Sequence, residues 1–416
     1  MTAWHPKHRK AKDMARDKIT LNNPERFAGK HEIDREKLLR AAKAATDKLE
    51  AKAREFMAAG IEVGADFPGT CSVEHKYVRA ENKNWVGGMY TGCYWLAYEL
   101  TGNEFFREVA EKHLATYRTR VDNRIGMDDH DVGFTFTPSC VAAYKLTGNE
   151  EAKQTALDAA EYFRKVGYSD KGKFIIRFHG GWDRGPGCRT MMDSLMNAPL
   201  FFWAGEMTGE EKYTTAAHDH VLTTEKYLIR KDSSSYHHYQ FDPATAGPVK
   251  GVTLQGNGDE SCWARGHAWG VYGFPIAYSY TKDPVIKAVH KDITVFMLNH
   301  LLDDLVPNWD YDFMDSTIPR DTSSGAIASC GLHEMARLIS DDDPDKELFE
   351  NASAQLLEAI IDNYTGEIGI DYDGLIHHVT HALPQKQGID ECAVYGDYFY
   401  LEALLRHLKP DWQKYW

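Results

Sequence analysis

The chain lacks several signatures that define large classes of proteins. No run reaches the roughly 18 consecutive apolar residues of a membrane-spanning helix, and residues 1–7 lack the apolar core of a signal peptide. There is no glycine-rich phosphate loop, no Gly-x-Ser-x-Gly nucleophile elbow and no His-Glu-x-x-His zinc motif. We therefore expect no membrane partner, cofactor or metal, and a cytoplasmic location, or a periplasmic one if a signal peptide has been removed.

Basic charge and paired cysteines are also scarce. The 416 residues contain 48 Lys and Arg against 62 Asp and Glu, a formal net charge of −14, which argues against a nucleic-acid partner. The cysteines number seven, and none forms a Cys-x-x-Cys pair, so we predict reduced thiols. Aromatic residues, in contrast, make up 12% of the chain. Their flat apolar faces suit sugar rings and also fill large cores.

An internal repeat predicts the architecture. Apolar helical runs end in similar turns at 101–104, 147–150, 208–211, 281–284, 340–341 and 409–410. Amphipathic helices are predicted over 34–59, 104–118, 150–167, 210–228, 284–302 and 345–362. Two helices per unit in six units indicate an all-α (α/α)6 barrel with the apolar helices inside. We predict a single catalytic domain over 34–416, with residues 1–33 as an extension that wraps the outside.

Long loops precede the predicted inner helices and should meet at one mouth of the barrel. They span 80–92, 122–134, 172–193, 231–268, 305–325 and 367–397. Long loops without regular structure in a compact domain are usually functional. We therefore expect the site at this mouth.

Two aspartates stand at the leading edges of apolar helical segments in equivalent units. A carboxylate that enters a buried face is costly unless it is paired or used, so Asp131 and Asp193 are candidates for an acid/base pair. The alternative is that each is a helix N-cap, as is also expected for Asp321.

Other mouth residues are typical of a pocket for a sugar acid. Trp85 and Trp269 offer stacking faces, and Arg265 offers a planar fork for a carboxylate. His237 and Gln255 offer donors to hydroxyl groups. The alternatives remain open: the tryptophans could be packing residues, the arginine could pair with a structural carboxylate, and the histidine could be an ordinary buried one.

Seven stretches, taken in order, resemble a known family. They are His130–Phe134, Met192–Leu200, Ser234–His237, Gln255–Asn257, Trp263–Gly270, Arg320–Ser324 and Tyr395–Leu404. The chain resembles the unsaturated glucuronyl hydrolases of glycoside hydrolase family 88 from about Trp85 to Leu405. The resemblance implies an (α/α)6 barrel with Asp131 and Asp193 as catalytic residues.

The resemblance also implies the substrate contacts and two differences at the aglycone. The implied contacts are Trp85, His130, Phe178, His237, Gln255, Arg265 and Trp269. Phe178 lies nearest to the third-loop position where related enzymes carry a stacking tryptophan. Residues 376–391 lack the Ser-x-x-Ser-x-Lys pattern that some members use for a sulfated neighbouring sugar.

The reaction implied for this family hydrates an alkene. A Δ4,5-unsaturated uronic acid at the non-reducing end of a lyase product is protonated at C4, water adds at C5, and the resulting hemiketal opens and releases the aglycone. We assign Asp193 as the acid/base, with a pKa raised by burial among aromatic residues. Asp131 is assigned to binding ring hydroxyls and to keeping Asp193 protonated by like-charge repulsion, and the sequence leaves the reverse assignment of the two aspartates open.

Three other functions remain open, and we expect a monomer or a homodimer. The nearest is an unsaturated rhamnogalacturonyl hydrolase acting on pectin fragments. A non-catalytic glycan-binding toroid would keep the Trp and Arg residues without needing both aspartates. An epimerase on the same barrel would use paired histidines, which the placement of Asp131 and Asp193 argues against.

Overall fold

Two concentric layers of helices make up the chain in a computed structural model that describes residues 16–177, 188–366 and 370–416. The outer layer consists of α1 (Arg35–Ala58), α3 (Glu104–Asn123), α6 (Glu150–Val166), α8 (Glu211–Leu228), α10 (Pro284–Asn299) and α12 (Lys346–Asn363). The inner layer consists of α2 (Val86–Thr101), α4 (Val132–Phe136) with α5 (Ala142–Thr147), α7 (Ala198–Thr208), α9 (Ala264–Thr281), α11 (Thr322–Leu338) and α13 (Val394–Leu408). A π turn over Thr137–Val141 joins α4 to α5, where Pro138 has no backbone N–H to donate.

The inner helices form a closed ring. Each packs against the next, and α13 packs against both α11 and α2. Residues 86–97 of the inner helix α2 are all buried, whereas the outer helix α6 buries residues along only one of its sides. The predicted all-α (α/α)6 barrel is confirmed. Within the described residues, no helix is long and apolar enough to span a membrane.

The turns between inner and outer helices follow from a short local code. Gly102 and Gly148 both adopt a left-handed conformation with φ of 70° just past the end of an inner helix. The next residue caps the following outer helix: the Asn149 side chain accepts a hydrogen bond from the Ala152 backbone N–H at 2.9 Å, and Asn103 acts in the same way. These turns explain why helices predicted to begin at 104 and 150 do so in the structure.

The mouth loops contain short strands that the sequence did not reveal. The strands are β1 (Phe67–Pro68), β2 (Arg79–Ala80), β3 (Tyr168–Ser169), β4 (Phe174–Ile175), β5 (Arg189–Met191), β6 (His238–Phe241) and β7 (Pro248–Val252). An antiparallel sheet of order β5-β6-β7 places Thr190 opposite Tyr239 and Tyr239 opposite Gly251. The expectation of structureless third and fourth loops was therefore wrong.

The inner helices also begin earlier than expected. Helix α2 starts at Val86, inside the loop predicted over 80–92. The same overlap occurs at the loops predicted over 231–268, 305–325 and 367–397. A Cβ on Gly88 would lie 2.3 Å from the Phe134 carbonyl oxygen, so this glycine permits close helix packing and does not mark a loop.

The described part of the N-terminal extension lies across the outer layer. Arg16 forms ion pairs with Glu225 of α8 and Asp292 of α10. The Asn351 side chain of α12 donates to the Phe27 carbonyl oxygen at 2.9 Å. The domain division at residue 34 stays a prediction.

Candidate active site

A cavity of about 850 Å³ opens at the mouth of the barrel where the predicted loops meet. Its walls contain seven of the predicted site residues: Trp85, His130, Asp131, Asp193, Gln255, Arg265 and Trp269. His237 lies one layer behind this wall. Phe178 falls outside the described residues. The tertiary structure therefore brings most of the predicted constellation to one place.

The two aspartates enter the cavity from consecutive units of the barrel. Asp131 directly precedes α4, and its side chain makes no cap hydrogen bond. Asp193 follows β5 in a 3-10 helix over Met192–Met196, and the residue at the cap position there is Met191. The helix-cap alternative therefore does not account for either side chain.

Hydrogen bonds to and from Asn197 link the two segments that carry the aspartates. Its Oδ1 accepts a hydrogen bond from the Phe134 backbone N–H at 2.8 Å. Its Nδ2 donates to Asp131 Oδ1 and to the Asp193 carbonyl oxygen, each at 3.3 Å. A Cβ on Gly133 would lie 2.4 Å from Asn197 Cα, so the contact requires glycine there. We did not select Asn197 from the sequence, although it ends the apolar stretch that begins at Asp193.

Both carboxyl groups are adapted to exchange protons near neutral pH. Burial raises the pKa of Asp193 to about 6, against the opposing effects of His130 and Arg265. Burial also raises the pKa of Asp131 to about 7; His130 lowers it, and the Asp129 and Asp193 charges add to the rise. Burial is the main cause for Asp193, as we expected for a carboxyl group walled by aromatic residues, whereas the additional like-charge repulsion from Asp131 that we expected is not among the main causes. A carboxyl group with such a pKa can act as a general acid or base.

His237 contacts Asp193 from behind. Its Nε2 lies 3.7 Å from Asp193 Oδ2, and the residue is 3% exposed. Nδ1 accepts hydrogen bonds from the backbone N–H groups of Leu254 and Gln255 at 3.3 and 3.4 Å. The proton of the neutral ring is therefore on Nε2. Burial, together with Arg177 and two further arginines, holds the pKa of His237 well below its ordinary value. This neutral ring therefore faces Asp193 with an N–H.

Arg265 does not present the open fork that we expected from the sequence. Its Nη1 donates to Asp321 Oδ2 at 2.6 Å and to the Thr380 carbonyl oxygen at 2.8 Å. Its Nη2 donates to the His381 carbonyl oxygen. The alternative of a structural carboxylate partner is the one observed. Asp321 itself sits at the N-cap position of α11 but makes no cap hydrogen bond.

Aromatic and amide side chains shape the remaining wall. Trp85 stacks on Tyr395 with ring centroids 5.4 Å apart and an angle of 15° between the rings. Trp269 is only 1% exposed and packs against Phe134. Gln255 Nε2 donates to a backbone carbonyl at 2.9 Å, so this amide N–H group already has a protein partner. Trp85, which is half-buried, therefore offers more open face to a sugar than Trp269.

Loops of the first and last units form a rim, of which residues 386–391 belong to the predicted sixth mouth loop and residues 70–73 lie outside the predicted loops. Thr70–Val73 and Lys386–Ile389 line the cavity together with Glu391. Glu391 holds the two loops together because it accepts the Glu74 and His75 backbone N–H groups, each at 2.9 Å. The two loops are neighbours only because α13 packs against α2, a contact that no local sequence signal shows.

Asp129, His130 and Asp131 place ligand-type atoms within 4.8 Å of one another. The arrangement is nevertheless unlike a chelate. His130 Nδ1 forms an ion pair with Asp129, whereas Nε2 lies 3.3 Å from Asp131 Oδ1. Each ring nitrogen therefore already faces a carboxylate, whereas a metal ligand needs a nitrogen lone pair that is free for the ion.

Removal of divalent ions is therefore expected to leave turnover unchanged. Activity should be measured before and after dialysis against a strong chelator, with the chelator-free buffer as the control. A loss that zinc, calcium or magnesium restores would contradict this prediction.

Comparison with known proteins identifies relatives along most of the chain. The model of Glycosyl Hydrolase Family 88 matches residues 66–401. An unsaturated chondroitin disaccharide hydrolase of Streptococcus agalactiae is 37% identical over 398 residues, which cover 95% of this chain and 98% of that protein. An unsaturated glucuronyl hydrolase of Bacillus sp. strain GL1 is 36% identical over 85% of this chain and 93% of its own.

Solved structures show the same likeness. The crystal structure of an unsaturated glucuronyl hydrolase from S. agalactiae superposes with a TM-score of 0.90 at 37% identity, covering 97% of this chain and 100% of that one. A mutant of the S. agalactiae enzyme complexed with dGlcA-GalNAc6S has a TM-score of 0.83 at 35% identity, with the same coverage.

Proposed function

Because the chain belongs to Glycosyl Hydrolase Family 88, we propose that it hydrolyses Δ4,5-unsaturated uronic acid from the non-reducing end of lyase-generated oligosaccharides. The observation that carries this proposal is the pair of buried carboxyl groups, Asp131 and Asp193, which line one cavity with pKa values raised to about 7 and about 6. Such a pair supplies a proton donor and a proton acceptor in the same chamber.

The reaction begins at the alkene and needs no attack at the anomeric carbon. The Asp193 O–H transfers its proton to C4, and the C4=C5 electron pair forms the new C–H bond. The positive charge left at C5 is shared with the ring oxygen, and water adds there while its proton returns to the Asp193 carboxylate. The hemiketal then opens, and the aglycone leaves as its alcohol.

The other residues orient the substrate and balance charge. Asp131, held by Asn197 at 3.3 Å, accepts hydrogen bonds from ring hydroxyl groups. The half-buried Trp85 provides the stacking face. Arg265 attracts the substrate carboxylate by its charge, although both of its terminal nitrogens already contact protein acceptors.

We propose a glycosaminoglycan-type disaccharide as the substrate. The support is that relatives covering nearly the whole chain are named for chondroitin disaccharides, and that one neighbouring structure holds dGlcA-GalNAc6S. The basic side chains Arg177 and Lys386 on the cavity wall suit an acidic aglycone.

Turnover of a substrate panel tests this proposal. Loss of the ultraviolet absorbance of the C4=C5 double bond should be followed on chondroitin, heparin and pectin lyase products. Hydrolysis of a glycosaminoglycan product with the largest kcat/KM supports the proposal. A preference for the pectin fragment would reassign the chain to rhamnogalacturonyl hydrolysis, and binding without turnover would make it a glycan-binding toroid.

Isotope labelling is expected to report the route of the reaction. In deuterium oxide the keto-acid product should carry deuterium at C4, because that hydrogen comes from the solvent-exchanged Asp193 proton. In ¹⁸O-labelled water the label should enter at C5 and be absent from the released aglycone. Mass spectrometry and NMR of the products make the measurement. Label found only at the anomeric carbon would indicate the two-carboxylate route of ordinary glycosidases and overturn the mechanism.

A further inference from the structure

The His130 ring lies between two carboxylates that differ in exposure. Nδ1 forms an ion pair with Asp129, whose side chain is 39% exposed. Nε2 faces Asp131 Oδ1 at 3.3 Å, and the Asp131 side chain is 13% exposed. The His130 backbone N–H also donates to Asp129 Oδ1 at 2.6 Å, which fixes that carboxylate in place. The three side chains thus form one cluster on the cavity wall, in which His130 contacts both carboxylates.

The charges in this cluster shift the pKa values of its members. Although burial acts to lower it, the Asp131 and Asp129 carboxylates raise the pKa of His130. Arg177 opposes that rise, and the charges of Asp193 and Arg265 also act within the same cavity. Burial opposes ionisation of Asp129, but the His130 charge holds the pKa of Asp129 below its ordinary value. A cationic His130 beside an ionised Asp129 is therefore the favoured arrangement, whereas Asp131, with its pKa raised to about 7, titrates near neutral pH.

We propose that Asp129 is a positioning residue, which orients His130 and holds it cationic so that Nε2–H donates to Asp131. Asp129 does for this histidine part of what the aspartate of a hydrolytic triad does: it fixes the orientation of the ring and stabilises the imidazolium. The inference rests on the proposed role of Asp131 in the reaction, but its first test needs no substrate.

Loss of the Asp129 charge has two effects of unequal size on Asp131. In Asp129→Asn the imidazolium loses its partner, so the pKa of His130 falls and the ring becomes neutral at working pH. Asp131 then loses a cation 3.3 Å away and also a more distant anion. Because the nearer charge has the stronger effect, Asp131 becomes harder to ionise, and the acidic limb of the kcat/KM profile should move to higher pH.

The first experiment follows His130 in the free protein. Nitrogen-15 NMR of the ring should show a protonated imidazole at neutral pH in the wild type and a lowered titration midpoint in Asp129→Asn. Asp129→Glu should restore the wild-type titration. Asp128→Asn is the matched control, because that exposed carboxylate one residue earlier accepts from Tyr162 and should leave His130 unchanged. An unchanged midpoint in Asp129→Asn would overturn the proposal, whatever substrate the protein hydrolyses.

The second experiment is a double-mutant cycle on kcat/KM. Asp129→Asn alone should lower kcat/KM about tenfold, the factor that corresponds to a change of one unit in pKa. In the His130→Gln background the same substitution should change it by less than about twofold, because interacting sites are not additive. A full loss in that background would show that Asp129 acts on the substrate directly, which would contradict a role through His130.

Discussion

Asp193→Asn is expected to lower kcat by about 10²–10⁴-fold, the usual contribution of a general acid or base. The substitution keeps the shape of the side chain and removes the proton that the alkene must receive. His237 cannot replace it, because burial keeps that ring neutral and its accepting nitrogen is turned towards backbone N–H groups. Initial rates on the preferred unsaturated disaccharide measure the effect. A variant that keeps more than about a tenth of the wild-type rate would exclude Asp193 as the acid.

Thermal unfolding separates this loss from misfolding. The pKa of Asp193 in the folded protein, about 6, lies above its ordinary value of 3.8. The folded state therefore binds this proton more tightly, so stability is lost as pH rises through that interval. Asparagine does not titrate, so above this interval the variant should unfold at the same temperature as the wild type or a higher one. A much lower Tm there would attribute the inactivity to the fold.

Arg265→Met is expected to lower the free energy of unfolding by about 3–5 kcal/mol, the usual effect of removing one member of a buried ion pair. Arg265 and Asp321 have side chains only 2% and 0% exposed, and their atoms are 2.6 Å apart. The substitution leaves the Asp321 carboxylate buried without its cation, and it also removes donors from two backbone carbonyls. Urea titration followed by circular dichroism measures the change.

Two further variants identify the cause. In Arg265→Met/Asp321→Asn the unpaired charge is absent, so part of the lost stability should return. A double variant no more stable than Arg265→Met would show that the unpaired carboxylate is not responsible. Arg54→Met removes an exposed partner of Glu50 and should cost less than about 1 kcal/mol. A similar loss in both arginine variants would contradict the importance of burial.

Local signals account for the parts of the fold that the sequence predicted well. A helix end needs only a residue that tolerates positive φ and a side chain that caps the next N–H groups, and Gly148 with Asn149 supplies both within two positions. The predicted outer helix 150–167 ends at Val166 in the structure. Repeated around the chain, such turns were enough to indicate six helix pairs.

Signals that depend on distant neighbours were misread or missed. Gly88 was taken for part of a loop, but it lies in a helix where the Phe134 backbone approaches. The strand pairing of Thr190 with Tyr239 joins segments of two different mouth loops, so neither stretch shows regular periodicity by itself. Asn197 could have been suggested by its place after Asp193, but its hydrogen bond to Phe134 exists only in the folded barrel.

The sequence by itself determined the ring of paired helices, the mouth at which the site lies and the two aspartates within it. Helix periodicity and capping act over a few residues, and the aspartates interrupt apolar segments where an unused carboxylate is costly. Only the tertiary structure decided which polar side chains pair with one another in the site. Arg265 donates to Asp321, so its guanidinium is not an open fork for a substrate carboxylate. His130 contacts both Asp129 and Asp131. Such pairing depends on distance and burial, which are set when loops from separate units meet in one cavity.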